Sequence, residues 1–310
     1  MPKDNKKALT VVYPAFDTLR DLWVARVGGG GLGNCFYTYF HAVTLAEQFN
    51  ARVIAPSWAS LKLGPLLRGE PSKRFYWRMF RPGKGDIHGL YKLWTLYRGW
   101  RNRRLIEITA DSRPALVAGA LNVVVTQRWT FRGLQPHREA IRRRLLEITK
   151  DPVPPGHAWG AGKFIAIHVR LGDFYKVEDP DLVVSAPHGT RLPIYWYVNV
   201  ARALQARYPD RPIKVFSDGK VEELQPLLDL GAELYRSGSD MTDLLAMSGA
   251  SVLLGSNSTY SRWASFLGDM PTIWMKGLRM AKEVPGDRCN SPETPTVFVP
   301  IDATEVTLWP

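Results

Sequence analysis

Along this chain, short continuous apolar runs alternate with segments in which apolar residues recur three and four positions apart. Such runs predict strands, and such spacings predict helices. Leu22–Val27 is short and apolar and predicts a strand that runs into the glycine stretch 28–33. Beyond it, Phe36, Phe40, Val43 and Ala46 predict a helix, with Asn34 as its N-cap. Arg52–Ala55 predicts the next strand, stopped by Pro56. Strand, glycine loop, helix and strand together open a parallel α/β domain.

The second half repeats the alternation. Strands are predicted at Phe164–Val169, Ile213–Phe216, Ser251–Leu254 and Thr272–Trp274. Helices are predicted at Pro193–Arg207, Lys220–Leu230, Met241–Met247 and Thr259–Leu267. Residues 150–162, KDPVPPGHAWGAG, are rich in Pro and Gly and predict an interdomain linker. The expectation is two Rossmann-like α/β domains, residues 1–155 and 156–310, facing a cleft in which a ligand binds.

Composition narrows the class. At 310 residues, 45% hydrophobic and 23% charged, the chain can bury two cores. No apolar run near Met1 is long enough for a signal peptide, and none approaches the roughly 20 residues of a spanning helix. Cys35 and Cys289 stand far apart with no metal-ligand spacing, so a reduced, cytoplasmic protein is expected.

The net charge of +12 favours anionic partners. From Arg68 to Arg104, eleven Lys/Arg face only Glu70 and Asp86, interleaved with aromatic residues. Such a stretch suits peripheral contact with an anionic membrane at the inner face, or single-stranded nucleic acid. The favoured reading is plainer: a solvated basic face whose aromatics fill the N-terminal core.

Three motifs carry candidate chemistry. Gly28, Gly30 and Gly33 match G-x-G-x-x-G, but the following strand ends Ala55-Pro56-Ser57, without the carboxylate of a dinucleotide site. No Gly-Lys-Ser/Thr follows, which excludes a P-loop. The glycines allow close backbone approach to a ligand, with Asn34 at the helix start; a plain tight turn explains them equally well. The second motif, His168-Val169-Arg170-Leu171-Gly172-Asp173, follows a strand, whose carboxyl end faces the ligand crevice in α/β sheets. Arg170 can clamp a diphosphate, and Asp173 can orient it; a structural Arg–Asp pair and a satisfied core histidine are the alternatives. In the third, Ser256, Asn257, Ser258 and Thr259 open a helix, a ready anion site. Upstream, Asp243 can accept the two donors of a guanine edge, unless Asp240 and Asp243 simply cap their helix. Asp179-Pro180-Asp181 has the pattern of a metal-binding D-x-D, but its Pro-containing loop reads as a turn, and no other cluster of hard oxygen ligands stands out.

Taken in order, these motifs resemble the inverting, GDP-fucose-dependent fucosyltransferases, most closely the α-1,2-fucosyltransferase family. The resemblance rests on Gly30-Gly31-Leu32-Gly33-Asn34, on His168 to Asp173, on Phe216-Ser217-Asp218, on Asp243 to Ser248, and on Asn257 to Trp263. It implies a GT-B-like fold and transfer of L-fucose from GDP-fucose to a glycan acceptor, galactose O2 in that family, without a metal. Arg170 would grip the β-phosphate with His168 nearby, Asp243 would read guanine, and Asn257, Ser258 and Thr259 would line the diphosphate. Asp218 falls in the donor set; Gly31, Gly33 and Asn34 would close on the donor, with Arg170, Asp173 and Asn34 as the catalytic candidates. No nucleic-acid partner is expected. The chain departs from the family at Leu171, where a second arginine is usual, at Cys35 in place of Gln, and at Arg262 in place of Trp. Another nucleotide sugar, a dinucleotide-dependent oxidoreductase and a non-catalytic polyanion binder are the competing readings.

Overall fold

A computed structural model describes residues 9–17, 20–61, 75–109, 112, 114–126, 130–177, 183, 189–278, 288–303, 306 and 308. The chain divides into two α/β units; the first reaches Lys150 and the second resumes at Asp151.

In the first unit, β1 (Val11–Pro14), β3 (Arg52–Val53), β5 (Arg104–Ile108) and β6 (Leu121–Thr126) form one parallel sheet in the order β3-β1-β6-β5. β2 (Arg26–Val27) and β4 (Ser60–Leu61) pair separately. Helix α1 (Leu32–Gln48) is buried on nearly every side, because Tyr37, Tyr39, Phe40 and Leu45 extend the apolar pattern around its circumference. Trp58 stacks on Phe80 at 4.1 Å, and both rings meet Phe36 of α1. Among the described residues the unit also carries helices α2 (Gly89–Gly99) and α3 (Arg138–Ile148).

The expected strand Leu22–Val27 shrinks to Arg26–Val27. Trp23 adopts a left-handed φ of 68°, and Leu22 and Val24 face solvent, so this run turns and has no sheet to join. The strand that opens the sheet is Val11–Pro14. Asn34 does not cap α1; Gly31 occupies that position and Asn34 lies within the first turn. The aromatics of 75–100 divide. Tyr76 and Phe80 enter the core as expected, whereas Trp77, Tyr91, Trp94 and Tyr97 are exposed, against the favoured reading of a core-filling stretch.

Among the described residues the second unit carries six strands, β7 (Ile165–Val169), β8 (Ile213–Ser217), β9 (Glu233–Leu234), β10 (Val252–Leu254), β11 (Thr272–Met275) and β12 (Thr296–Val299). All pairings are parallel, in the spatial order β9-β8-β7-β10-β11-β12. Numbered from the start of the unit, that is the doubly wound order 3-2-1-4-5-6. The helices are α4 (Ile194–Arg207), α5 (Val221–Leu228), α6 (Asp240–Ser248) and α7 (Thr259–Gly268). Each expected element of this half is present within a residue or two, and β9 and β12 are additional.

The Pro/Gly stretch 150–162 is not a free connection. Gly160 and Gly162 donate backbone N–H groups to Ser248 and Gly249 carbonyls at 2.9 and 2.8 Å, and Thr242 donates to the Pro152 carbonyl at 2.8 Å. A Cβ at either glycine would lie 2.4 Å from a carbonyl oxygen, so the segment packs on the second unit by backbone contact. Asp179-Pro180-Asp181 lies outside the described residues.

Candidate functional site

In the order 3-2-1-4-5-6 the connections from β7 and β10 leave the sheet in opposite senses, and a crevice opens where their carboxyl ends part. The chain sends His168 to Asp173 out of β7 and Gly255 to Ser258 out of β10, and the two segments meet through His168. Its Nδ1 lies 2.5 Å from Ser261 Oγ and 2.8 Å from Ser256 Oγ, and Ser261 Oγ also accepts the Ser256 N–H at 3.1 Å. Burial lowers the imidazole pKa to about 3, with Asp218 opposing and Arg170 reinforcing the shift. His168 is therefore a neutral strut between β7 and the start of α7. This is the core-histidine alternative in structural form.

Arg170 follows as β7 ends. Its Nη2 donates to Asp173 Oδ1 at 2.5 Å, and its Nη1 stands 2.6 Å from Asp218 Oδ2. The guanidinium also lies over the Phe174 ring at 5.1 Å. Two carboxylates and a ring fix its plane, while Nε is buried without a hydrogen-bond partner. A guanidinium carries five N–H donors, so the one on Nε and two on the terminal nitrogens remain for an anion. Asp218 also holds the backbone of the loop, its Oδ1 accepting the Leu171 N–H at 2.8 Å. The Leu171 side chain turns into the core, where a Cβ on Gly219 would come within 2.2 Å of it.

Arg191, absent from every motif, holds this loop from behind. It donates to the Phe174 carbonyl at 2.9 Å and the Gly172 carbonyl at 3.3 Å, and pairs with Glu223 at 2.8 Å. No local signal in the sequence marks it, because its acceptors are backbone carbonyls seventeen and nineteen residues away.

Asp243 does not complete a cap. Ser239 caps α6, accepting from Met241 N and Thr242 N, so Asp240 is not the capping residue either. Asp243 Oδ1 accepts from Ser237 N at 2.9 Å and Ser237 Oγ at 2.6 Å, and Oδ2 makes no hydrogen bond among the described residues. Burial raises the carboxyl pKa despite those donors and nearby Arg236. Arg236 in turn donates to the Ser217 and Gly219 carbonyls, which flank Asp218.

At α7, Ser258 is the N-cap, its Oγ accepting from Tyr260 N at 3.2 Å. Asn257 is buried with Oδ1 unpartnered. Thr259 is half-buried at the first helical position. The Tyr260 hydroxyl donates to the Asp240 carbonyl and ties α7 to α6. His168, Arg170, Asp173, Asp218, Asp243, Asn257, Ser258 and Thr259 thus share the carboxyl edge of one sheet and the starts of the helices beside it.

Gly31, Gly33 and Asn34 belong to the first unit. Gly28 and Gly29 adopt left-handed φ of 75° and 81°. A Cβ on Gly30 would sit 2.8 Å from the Asn34 side chain, which therefore lies against bare backbone. The loop is organised by Arg26, fully buried, which donates from Nη1 to the Gly28 and Gly30 carbonyls at 3.3 and 3.1 Å. Arg26 is the one charged residue of the run Leu22–Val27, but its backbone acceptors leave no mark in residue type.

Cys35 and Cys289 are free thiols, and buried Arg262 donates from Nε to Cys289 Sγ at 3.4 Å. Among the described residues, no group of three or more His, Cys, Asp or Glu gathers as metal ligands would.

No protein-family model and no curated protein matches the chain. Among solved structures it is similar to NodZ α-1,6-fucosyltransferase soaked with GDP-fucose, at 14% identity over 86% of this chain and 95% of that one, with a TM-score of 0.46. It is also similar to POFUT1 in complex with GDP, at 11% identity over 94% and 98% of the two chains, with a TM-score of 0.47. A third likeness is to NodZ from Bradyrhizobium, at 12% identity over 86% and 95%, with a TM-score of 0.38.

Proposed function

We propose that this protein transfers L-fucose from GDP-fucose to a glycan hydroxyl, with galactose O2 as the acceptor atom, by a metal-independent inverting displacement. The observation that supports it most is Arg170, clamped by Asp173 and Asp218 at the switch point of the sheet with its Nε uncommitted. A pre-oriented cation at that edge suits an anionic leaving group, because it needs no reorganisation as charge develops. The motif resemblance supplies the rest of the reading, including the absence of a metal.

In the proposed reaction the acceptor oxygen attacks C1 of fucose from the face opposite the nucleotide. The C1–O bond to the β-phosphate breaks, and GDP leaves with the electron pair. The acceptor proton passes to the Asp173 carboxylate or to the departing diphosphate. Arg170 and the α7 start, with Asn257, Ser258 and Thr259, take up the diphosphate charge. Asp243 receives the guanine N–H donors on its open Oδ2, while Ser237 retains Oδ1. The assignment of Gly31, Gly33 and Asn34 to the donor rests on the resemblance alone.

The test is GDP release from GDP-fucose over a panel of galactosides, with chelator, for the wild type and Arg170→Ala. The wild type should turn over with chelator present, and the variant should lose about 10²–10³-fold in kcat, with melting curves confirming its fold. Calorimetry with GDP and UDP separates a guanine donor from a uridine one. Failure of the wild type both to turn over and to bind GDP or GDP-fucose would remove the proposal and leave polyanion binding in front.

A further inference from the structure

Helix α2 is inverted. Its buried side holds Leu96, Gly99 against Leu121, and Lys92, which is only 7% exposed. Its outer stripe holds Leu90, Trp94 and Tyr97, exposed by 84%, 52% and 75%. These three fall at i, i+4 and i+7, one line along a helix, and Tyr91 stacks beside Trp94 at 5.7 Å. An amphipathic helix of a water-facing surface puts such residues inside. Here they point away from a core that takes a lysine in their place.

The cations are placed around this stripe. Arg98 lies over the Trp94 ring at 5.0 Å and Arg103 over Trp100 at 4.5 Å. Arg98, Arg101, Arg103 and Arg104 are all exposed, and no Asp or Glu occurs between Asp86 and Glu107. We propose that α2 and the turn after it seat on an anionic lipid surface, with Leu90, Trp94 and Tyr97 entering the headgroup layer and the arginines meeting lipid phosphates. Trp and Tyr favour that layer because each has an apolar body and a polar tip. A second copy of the chain would oppose four arginines to four arginines. A nucleic-acid strand would stack on the rings and take the cations but give Leu90 nothing to bury against. No described helix is long and apolar enough to cross a membrane, so the contact proposed is peripheral.

The experiment is co-sedimentation with phosphatidylcholine vesicles, with and without phosphatidylglycerol, using the full chain, Trp94→Ser/Tyr97→Ser and Arg98→Gln/Arg101→Gln. The wild type should pellet with the anionic vesicles only. At about fivefold per cation before screening, the arginine pair should lose roughly tenfold or more in affinity, and the aromatic pair a similar amount. These side chains are exposed, so GDP binding and melting should be unchanged. Three results would overturn the proposal: no wild-type binding to anionic vesicles, equal binding to neutral ones, or no loss in the aromatic variant. An oligonucleotide that binds the wild type, and loses affinity in both variants without vesicle binding, would reassign the face to nucleic acid.

Discussion

Lys92→Met measures what the inversion of α2 costs the fold. Lys92 Nζ stands 3.5 Å from Ser57 Oγ and 5.5 Å from the centre of the Tyr13 ring, whose hydroxyl donates to Asp21 at 2.7 Å. Burial lowers its ammonium pKa from 10.5 to about 8, with Asp21 partly opposing. Below pH 8 the group is charged whether the chain is folded or not, so the cost of burying the charge is fully present. Between pH 8 and 10.5 the unfolded chain keeps the proton and the folded chain has released it. The unfolded state then binds more protons, and wild-type stability rises with pH.

The interval, 10.5 minus about 8, is about 2.5 units, and at roughly 1.4 kcal/mol per unit it bounds the effect near 3 kcal/mol. Methionine matches the stem and carries no charge. Urea unfolding of both proteins from pH 7 to pH 10 should therefore find the variant ahead by about 1–3 kcal/mol at pH 7, with that lead shrinking as pH rises. Every other titrating group is common to both proteins and cancels in the difference. A difference that stays constant across that range would refute the reasoning, since it would mean that Lys92 reaches water in the folded state.

His168 gives the second pH-dependent expectation. Its folded pKa of about 3 lies below the ordinary 6.5, so its contribution is complete above pH 6.5 and lost as pH falls toward 3. Its imidazole NMR signals should show no titration between pH 8 and pH 5, and a midpoint near 6.5 would contradict its role as a neutral strut. Gly255→Ala should destabilise the second unit by about 1–3 kcal/mol through overpacking, because its Cβ would fall 2.1 Å from the buried Trp274 ring. An unchanged thermal midpoint would show that the ring has room to move.

What the sequence made legible follows from burial. In the second unit the strands of a sheet covered on both faces read as continuous apolar runs, and Ile165–Val169 is buried at every position. The motif residues followed because strand ends and helix starts fix their place. The first unit was harder. Arg104–Ile108 is an edge strand with exposed Arg104 and Leu105, and it begins where the basic aromatic stretch ends, so its period was masked. Arg26 and Arg191 were hidden for another reason: each holds its loop through backbone carbonyls, which leave no trace in residue type. Ser239 and Asp240 are both good caps, and only the observed backbone decides for serine.

Leu171 shows how the site accommodates its departure from the fucosyltransferase pattern. An arginine there would bring a second cation to the loop, but the leucine is buried against Gly219. Only its backbone N–H serves the site, through Asp218 Oδ1. The same carboxylate holds Arg170 through Oδ2, so one aspartate fixes both the turn of the loop and the plane of the remaining cation. With Asp173 added, two carboxylates hold one guanidinium in place. On the proposed reading, a diphosphate would be held here by directed N–H groups from Arg170 and from the start of α7. That arrangement makes orientation the variable to perturb. Asp218→Asn, which keeps the shape but weakens the grip on Arg170, should impair turnover more than GDP binding, and calorimetry beside GDP-release kinetics reads the two apart. A loss confined to GDP affinity would mean that Asp218 serves the nucleotide directly.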